Sequence, residues 1–257
     1  MCKSFVLKTD SPLFNDCDDI PIARYLNGDK VKKLLANPGI WFSKFDCMGD
    51  DPDEGRCHRA CLSPIQTMTP AGYGQIQDMH RAENMPLISC WSCNTNVSGA
   101  LFEKFAPGDN GICCISTPRM IRESLQLSGV PYGRTHYFND DELKEDDGSL
   151  MGLKAYFYDP NDIEAPVYPS LELIKRQFYS NEDELRFICF SDGSKMNEGH
   201  RGVLIPFRDV KAHKPFSLIV VKRSIEIFLR SELEGMFCCK TIFFDEIKNA
   251  SLEELIC

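Results

Sequence analysis

The apolar residues of this chain come in runs no longer than a strand, each closed by a turn or a helix start. Gly39–Ile40–Trp41–Phe42–Ser43, Leu87–Ile88–Ser89–Cys90–Trp91–Ser92, Gly111 to Ser116 and Phe216 to Val221 are five or six residues long, the usual strand length. Lys154 to Tyr158 and Glu184 to Phe190 also read as strands. Between them lie helical stretches. Asp29 to Ala36 carries Val31, Leu34 and Leu35 on one face and is stopped by Asn37–Pro38–Gly39. Ser98 to Phe105 predicts a short helix, Pro118 opens one running to about Leu127, and Ser170 to Phe178 and Ser224 to Leu233 predict two more. Short strands, some of them antiparallel, mixed with packed helices predict an α+β fold. With no repeat and no long Gly/Ser or Pro-rich linker, residues 1–257 are expected to form a single domain. No Gly-rich turn follows any of these strands and no P-loop pattern occurs, which argues against a doubly wound dinucleotide-binding sheet and a P-loop enzyme.

Composition narrows the class further. Hydrophobic residues at 43% and charged residues at 26% exclude wholesale disorder. No apolar run approaches the ~20 residues of a membrane span, and the three apolar residues Phe5–Val6–Leu7 are too few for a signal peptide. The formal net charge of -9 provides no global attraction for nucleic acid or an anionic membrane. Thirteen cysteines are scattered, and the adjacent pairs Cys113–Cys114 and Cys238–Cys239 sit in apolar surroundings. That is how cysteine behaves as a small core residue, so the expected compartment is reducing, namely the cytoplasm. The acidic run Asp140 to Asp147 reads as a solvated loop.

The chemistry-bearing segment is Asn181–Glu182–Asp183–Glu184–Leu185–Arg186–Phe187–Ile188–Cys189–Phe190. On a strand, alternation puts Glu182, Glu184 and Arg186 on one face. Two carboxylates beside a guanidinium suit a cleft, because the cation holds one ionised and separates their roles. The plainer expectation is an exposed strand start with a surface ion pair. Asp50–Asp51–Pro52–Asp53–Glu54–Gly55 must be a turn. Ser89–Cys90–Trp91–Ser92 offers two hydroxyls that either hold a ligand or cap the backbone. Cys57 and Cys61 with Cys90 and Cys93 could supply zinc ligands, although only the second pair has a two-residue gap and it falls on a strand. The five histidines are dispersed.

Taken in order, these pieces resemble the bacterial family catalogued as domain of unknown function 2971, from about Ile22 to Glu246. Arg24–Tyr25, the Val31 to Ala36 helix and Ile40 to Ser43 match its opening. Asp50–Asp51–Pro52–Asp53–Glu54 stands where the family has Asn-Asp-Pro-Phe-Glu. Ser89 to Ser92 match its Ser-Cys-aromatic-Ser strand, and Phe102, Phe105 and Gly111–Ile112–Cys113 its aromatic helix and Gly-Val-Cys. Lys175, Tyr179, Glu182, Glu184 and Arg186 complete the set. The family name implies no activity.

A more distant resemblance does. ADP-ribosyltransferases of the arginine-serine-glutamate type carry an early Arg, a Ser-centred strand and a late Glu-x-Glu. Here those are Arg24, Ser89 to Ser92 and Glu182–Asp183–Glu184, with Cys and Trp in the middle of the serine motif where a Thr is usual. The resemblance implies a transferase-like fold, NAD as substrate and a protein or nucleic-acid acceptor. Glu184 would stabilise the oxocarbenium-like ribose and Glu182 would orient the acceptor. Arg24 would hold an NAD phosphate, Ser89 or Ser92 would support the ribose or the glutamate, and Trp91 or Tyr25 would pack on nicotinamide. Two other expectations stand beside it. One is a metal-dependent nuclease using Asp51, Glu182, Glu184 and Arg186. The other is a non-catalytic recognition or regulatory domain in which Glu-x-Glu-x-Arg is a structural motif. The residues leave the oligomeric state open, and a part in conflict with phages or rival bacteria would suit a small transferase.

Overall fold

The computed structural model describes residues 18–44, 47, 86–94, 96–128, 130, 132–138, 174–190, 201–247 and 250–256. The strands are β1 (Ile22–Leu26), β2 (Gly39–Lys44), β3 (Pro86–Ser92), β4 (Ile112–Ser116), β5 (Tyr132–Arg134), β6 (His136–Phe138), β7 (Ile174–Arg176), β8 (Glu184–Phe190), β9 (Gly202–Pro206), β10 (Leu218–Val221) and β11 (Lys240–Phe243). Nine of them form one mixed sheet in which the main path runs β11-β10-β4-β1-β3-β2-β9, with β8 and β5 joined through β3; β6 and β7 pair separately and in parallel. Most ladders are antiparallel and β10–β11 is parallel. The α+β expectation is met by this mixed sheet with helices on both sides.

Alternation along the strands separates two apolar layers. Ile22, Leu26, Cys114, Ile219 and Val221 face Val31 and Leu34 of the Gly28–Ala36 helix and Leu229, Leu233 and Phe237 of the Ile227–Phe237 helix. Ala23, Tyr25, Cys113, Ile115, Leu218 and Val220 face Leu101 and Phe102 of the Gly99–Phe105 helix and Leu252 of the terminal helix. Adjacent Cys113 and Cys114 therefore enter opposite layers, and burial pushes both thiols up.

Local chemistry sets the helix starts. Asn27 Oδ1 accepts from Lys30 N at 3.0 Å, Ser98 Oγ from Leu101 N at 3.2 Å and Thr117 Oγ1 from Met120 N at 3.2 Å, each satisfying an amide that the helix leaves open. The Pro118 helix stops at Ser124, short of Leu127. Leu125 is extended and bridged to Phe207, and its carbonyl accepts from Arg208 Nε at 2.7 Å, so that oxygen is taken out of the helix. The Ser224 helix begins at Ile227 and runs on to Phe237.

One helix expectation is corrected outright. Within Ser170 to Phe178, residues 174–176 form β7 beside β6, and Gln177–Glu182 is a 3-10 turn. The buried ion pairs of Lys175 hold this extended path, as described below. β1, β5, β6, β9 and β11 were not expected from the residue pattern, β1 entering only through the resemblances at Arg24–Tyr25. Lys154 to Tyr158, Asp50 to Gly55, Cys57, Cys61 and Asp140 to Asp147 lie outside the described residues.

Candidate functional site

The centre of interest follows from how β3 is shared. One edge of β3 is taken along its whole length by β8, from Pro86 opposite Phe190 to Ser92 opposite Glu184. The other edge is divided. β2 pairs at Leu87 and Ile88, and β1 at Ser92, opposite Ala23. Between those contacts, no strand among the described residues lies opposite Ser89, Cys90 and Trp91 on that edge, and the sheet is split.

Arg24 spans the split. Its Nη1 donates to Ser89 Oγ at 2.7 Å and its Nη2 to the Trp41 carbonyl at 3.0 Å, so one guanidinium ties β1 to both β3 and β2. Trp91 Nε1 also donates to Ser89 Oγ, at 3.2 Å, and Arg24 lies 5.6 Å from the Trp91 ring centroid. Burial pulls the Arg24 guanidinium down to about 10, against the opposing influence of the Cys90 and Cys114 thiols. It stays a cation at neutral pH, with part of its five N–H groups left for a ligand.

A cavity of about 310 Å³ occupies the split. Its lining includes Arg24, Tyr25, Ser89, Trp91, Ser92, Glu182 and Glu184, together with Lys30, Ser43, Cys47, Cys90, Phe105 and Lys175. The structure thus brings the residues named by the transferase resemblance around one space, although from two faces of the sheet; Arg186 and Cys93 are off that lining. Arg24, Ser89 and Trp91 share a face with Ile22, Leu87 and Leu185; Tyr25, Ser92 and Glu184 belong to the other. Trp91 is packed edge-on against Phe187 at 6.0 Å, and the Tyr25 hydroxyl accepts from Ser98 N at 2.9 Å, anchoring the Gly99–Phe105 helix.

The acidic side overturns the expectation of an exposed strand start. Glu182 is 4% exposed, Glu184 7%, Lys175 6% and Arg186 0%. β8 lies between β3 and β5, so its charged residues are interior. Arg186 Nε and Nη2 both donate to Glu184 Oε2, at 2.9 and 2.7 Å. Lys175 Nζ donates to Glu184 Oε1 at 3.2 Å and to Glu182 Oε2 at 2.7 Å. Lys104, from the last turn of the Gly99–Phe105 helix, reaches Glu182 Oε1 at 2.8 Å. Burial pushes the Glu184 carboxyl up, but Arg186 and Lys175 outweigh it and hold it at about 2. Glu184 is ionised at neutral pH.

Backbone geometry aims the pair. Asp183, between the glutamates, has φ of 40°, the left-handed region that Asp tolerates better than most residues. This turn closes the 3-10 segment and starts β8; the Asp183 carbonyl accepts from Cys93 N at 2.6 Å. Glu184 N donates to the Tyr137 hydroxyl at 2.8 Å.

Lys30 and Lys104 carried no signal in the sequence, the first being one of three lysines on the Gly28–Ala36 helix and the second the single lysine of the Gly99–Phe105 helix. Lys175 entered only through the family resemblance, on a segment expected to be helical. Partial burial and the like charge of Arg24 draw the Lys30 ammonium down. Among the described residues no three His, Cys, Asp or Glu side chains converge on a metal position. Burial raises the Cys93 thiol to about 12, which keeps it protonated at neutral pH.

No protein-family model matches the chain, and no curated protein matches it either. Solved structures similar to it include two of one protein. DarT of Thermus sp. 2.9 in complex with ADP-ribosylated ssDNA shares 12% sequence identity at a TM-score of 0.35, over 88% of this chain and 95% of that one. The same protein in complex with NAD+ shares 13% at a TM-score of 0.30, over 88% and 96%. These are distant likenesses, and no residue role is carried over from them.

Proposed function

We propose that this protein is an ADP-ribosyltransferase-like enzyme that cleaves NAD at the nicotinamide–ribose bond and passes ADP-ribose to a protein or nucleic-acid acceptor. The observation that supports it is the polarity of one cavity, with Arg24 and Lys30 on its lining and the ionised Glu184 beside Glu182 elsewhere on the same lining. That is the polarity an NAD molecule asks for, with anionic phosphates and a ribose that becomes cationic as the bond breaks.

Nicotinamide departs with the electron pair of its bond to C1′, and positive charge builds on the ribose ring. Glu184, fixed from behind by Arg186 and ionised well below neutral pH, places negative charge at that ring without reorganising. Arg24 takes a phosphate through its remaining N–H groups. Ser89 and Ser92 bring hydroxyls to the same space for the ribose, and Tyr25 or Trp91 offers an aromatic wall to nicotinamide. Glu182 orients the acceptor, whose nucleophile attacks C1′ and gives its proton to solvent.

No described helix is long and apolar enough to cross a membrane. We place the reaction in the cytoplasm, with a role in conflict with phages or rival bacteria. The nuclease reading loses ground, because protein cations already sit on the Glu182 and Glu184 oxygens that a divalent ion would need; Asp51 lies outside the described residues. A recognition domain is the second reading, favoured by the pairing of both Glu184 oxygens. Purified wild type and Glu184→Gln, incubated with labelled NAD and cell extract, test the proposal. Nicotinamide release and label transfer by the wild type alone support it. Silence from both, with no NAD binding by calorimetry, refutes it.

A further inference from the structure

We propose that Lys175 is a positioning residue whose ammonium bridges Glu182 and Glu184 and holds the two carboxylates side by side on the cavity lining. Its catalytic consequence rests on the reaction proposed above; its electrostatic part does not.

Two carboxylates that share one ammonium, at 2.7 and 3.2 Å, are close neighbours in buried surroundings. Left alone, such a pair shares a proton, because like charges this near cannot both ionise cheaply in low dielectric. Arg186 meets Glu184, through Oε2. Lys104 meets Glu182, and its side chain is 40% exposed, so water and salt screen its charge. Lys175 is the buried cation that bridges the two.

The fold brings this contact about from two directions. β7 runs parallel to β6 with Lys175 opposite Tyr137, whose hydroxyl takes the Glu184 amide. The 3-10 turn then folds back so that Glu182, seven residues on, returns to the same ammonium. The Tyr179 ring lies 4.7 Å from Nζ. Titratable or charged neighbours from the surrounding elements are Lys104, Tyr137, Tyr179, Arg186 and, within electrostatic reach of Glu184, Cys93. Without Lys175, Arg186 and Lys104 would still offer one cation to each glutamate; the proposal is that those two do not suffice.

The test compares wild type, Lys175→Met and Lys175→Arg. Each is first confirmed folded by a cooperative thermal melt, and glutamate carboxyls are labelled with carbon-13 and titrated by NMR. In the wild type the Glu184 carboxyl, held low by Arg186 and Lys175, stays ionised down to the acid transition. In Lys175→Met it titrates about 1–3 pH units higher, and Lys175→Arg restores most of the shift. The acid limb of nicotinamide release moves up by the same amount, so that Lys175→Met loses activity at a higher pH than wild type on acidification and the difference closes toward neutral pH. An unchanged carboxyl titration in folded Lys175→Met overturns the proposal. If wild type releases no nicotinamide while the carboxyl shift is present, the assignment of Lys175 stands and the transferase reading falls. Should Lys175→Met not fold, Lys175→Gln takes its place in the same titration, and an unchanged carboxyl there overturns the proposal equally.

Discussion

Arg24 donates from Nη1 to Ser89 Oγ at 2.7 Å across the place where β1 and β3 part company. The same hydroxyl oxygen serves Trp91 Nε1. Ser89→Ala therefore strips the acceptor from two donors at once. Leaving buried donors unmet costs about 1–3 kcal/mol, so the variant should melt measurably lower in urea. Arg24→Lys should behave differently. An ammonium cannot reach both Ser89 and the Trp41 carbonyl with a planar fork, and it offers a phosphate a point charge in place of a bidentate contact. Calorimetry should show NAD binding weakened roughly tenfold or more, a loss of about 1.4 kcal/mol. Equal NAD affinity in wild type and Arg24→Lys would remove Arg24 from the ligand contact.

Glu184 links the site to acid stability. Burial raises its carboxyl, Arg186 and Lys175 lower it more, and the outcome is about 2 in the folded protein against an ordinary 4.5. A depressed folded value means that the contribution is fully present above pH ~4.5 and is lost as pH falls toward 2. The gap corresponds to about 3 kcal/mol. Urea unfolding of wild type should lose stability over that window, and Glu184→Gln should show a shallower slope there. At neutral pH Glu184→Gln should already be destabilised by about 3–5 kcal/mol, because the buried Arg186 loses the carboxylate that takes its Nε and Nη2. Unfolding curves at pH 3, 5 and 7 make the comparison.

Much of the central sheet was readable because several of its strands are largely apolar. Ile112 to Ser116 and Leu218 to Val221 are buried at every position, so each appears in sequence as a nearly unbroken apolar run. β5, β6 and β7 are three residues each and partly polar, and nothing in their residues distinguishes them from loop. The motif residues Arg24, Ser89, Trp91, Ser92, Glu182 and Glu184 stood out by residue type and order, yet their surroundings did not. Glu182, Glu184 and Arg186 look like a solvated strand start because sequence shows their charges but not Lys175 and Lys104, which meet Glu182 from segments seven and 78 residues away. The split of β3 is likewise a matter of register, and no local pattern records which edge residues lose their partner.

The cysteines offer a check on the interior. Burial raises the thiol of Cys93 to about 12, of Cys239 to about 12 and of Cys189 to about 11, and raises Cys113 and Cys114 as well. Thiolate is the reactive form. Iodoacetamide at pH 8 should leave Cys93, Cys113 and Cys114 unmodified in the native protein and alkylate all three in urea, as read by peptide mass spectrometry. Rapid native labelling of Cys113 or Cys114 would contradict the two-layer core that buries them on opposite faces.

Asp183 is where backbone strain meets the site. Its φ of 40° falls between the two glutamates, its amide donates to the Ser180 carbonyl at 3.2 Å, and its own carbonyl takes the Cys93 amide. A left-handed residue costs roughly 1–2 kcal/mol for an ordinary side chain and little for Gly. Asp183→Gly should consequently keep stability within about 1 kcal/mol of wild type, with the relief of strain offset by the freer unfolded chain. Asp183→Val should lose about 2 kcal/mol or more, since a β-branched residue is a poor occupant of that region. The functional effect should follow geometry and not charge. If the turn sets the spacing of Glu182 and Glu184, nicotinamide release falls in Asp183→Val and survives in Asp183→Gly, although both variants remove the same carboxylate. An equal loss in the two would instead assign the effect to the missing charge of Asp183.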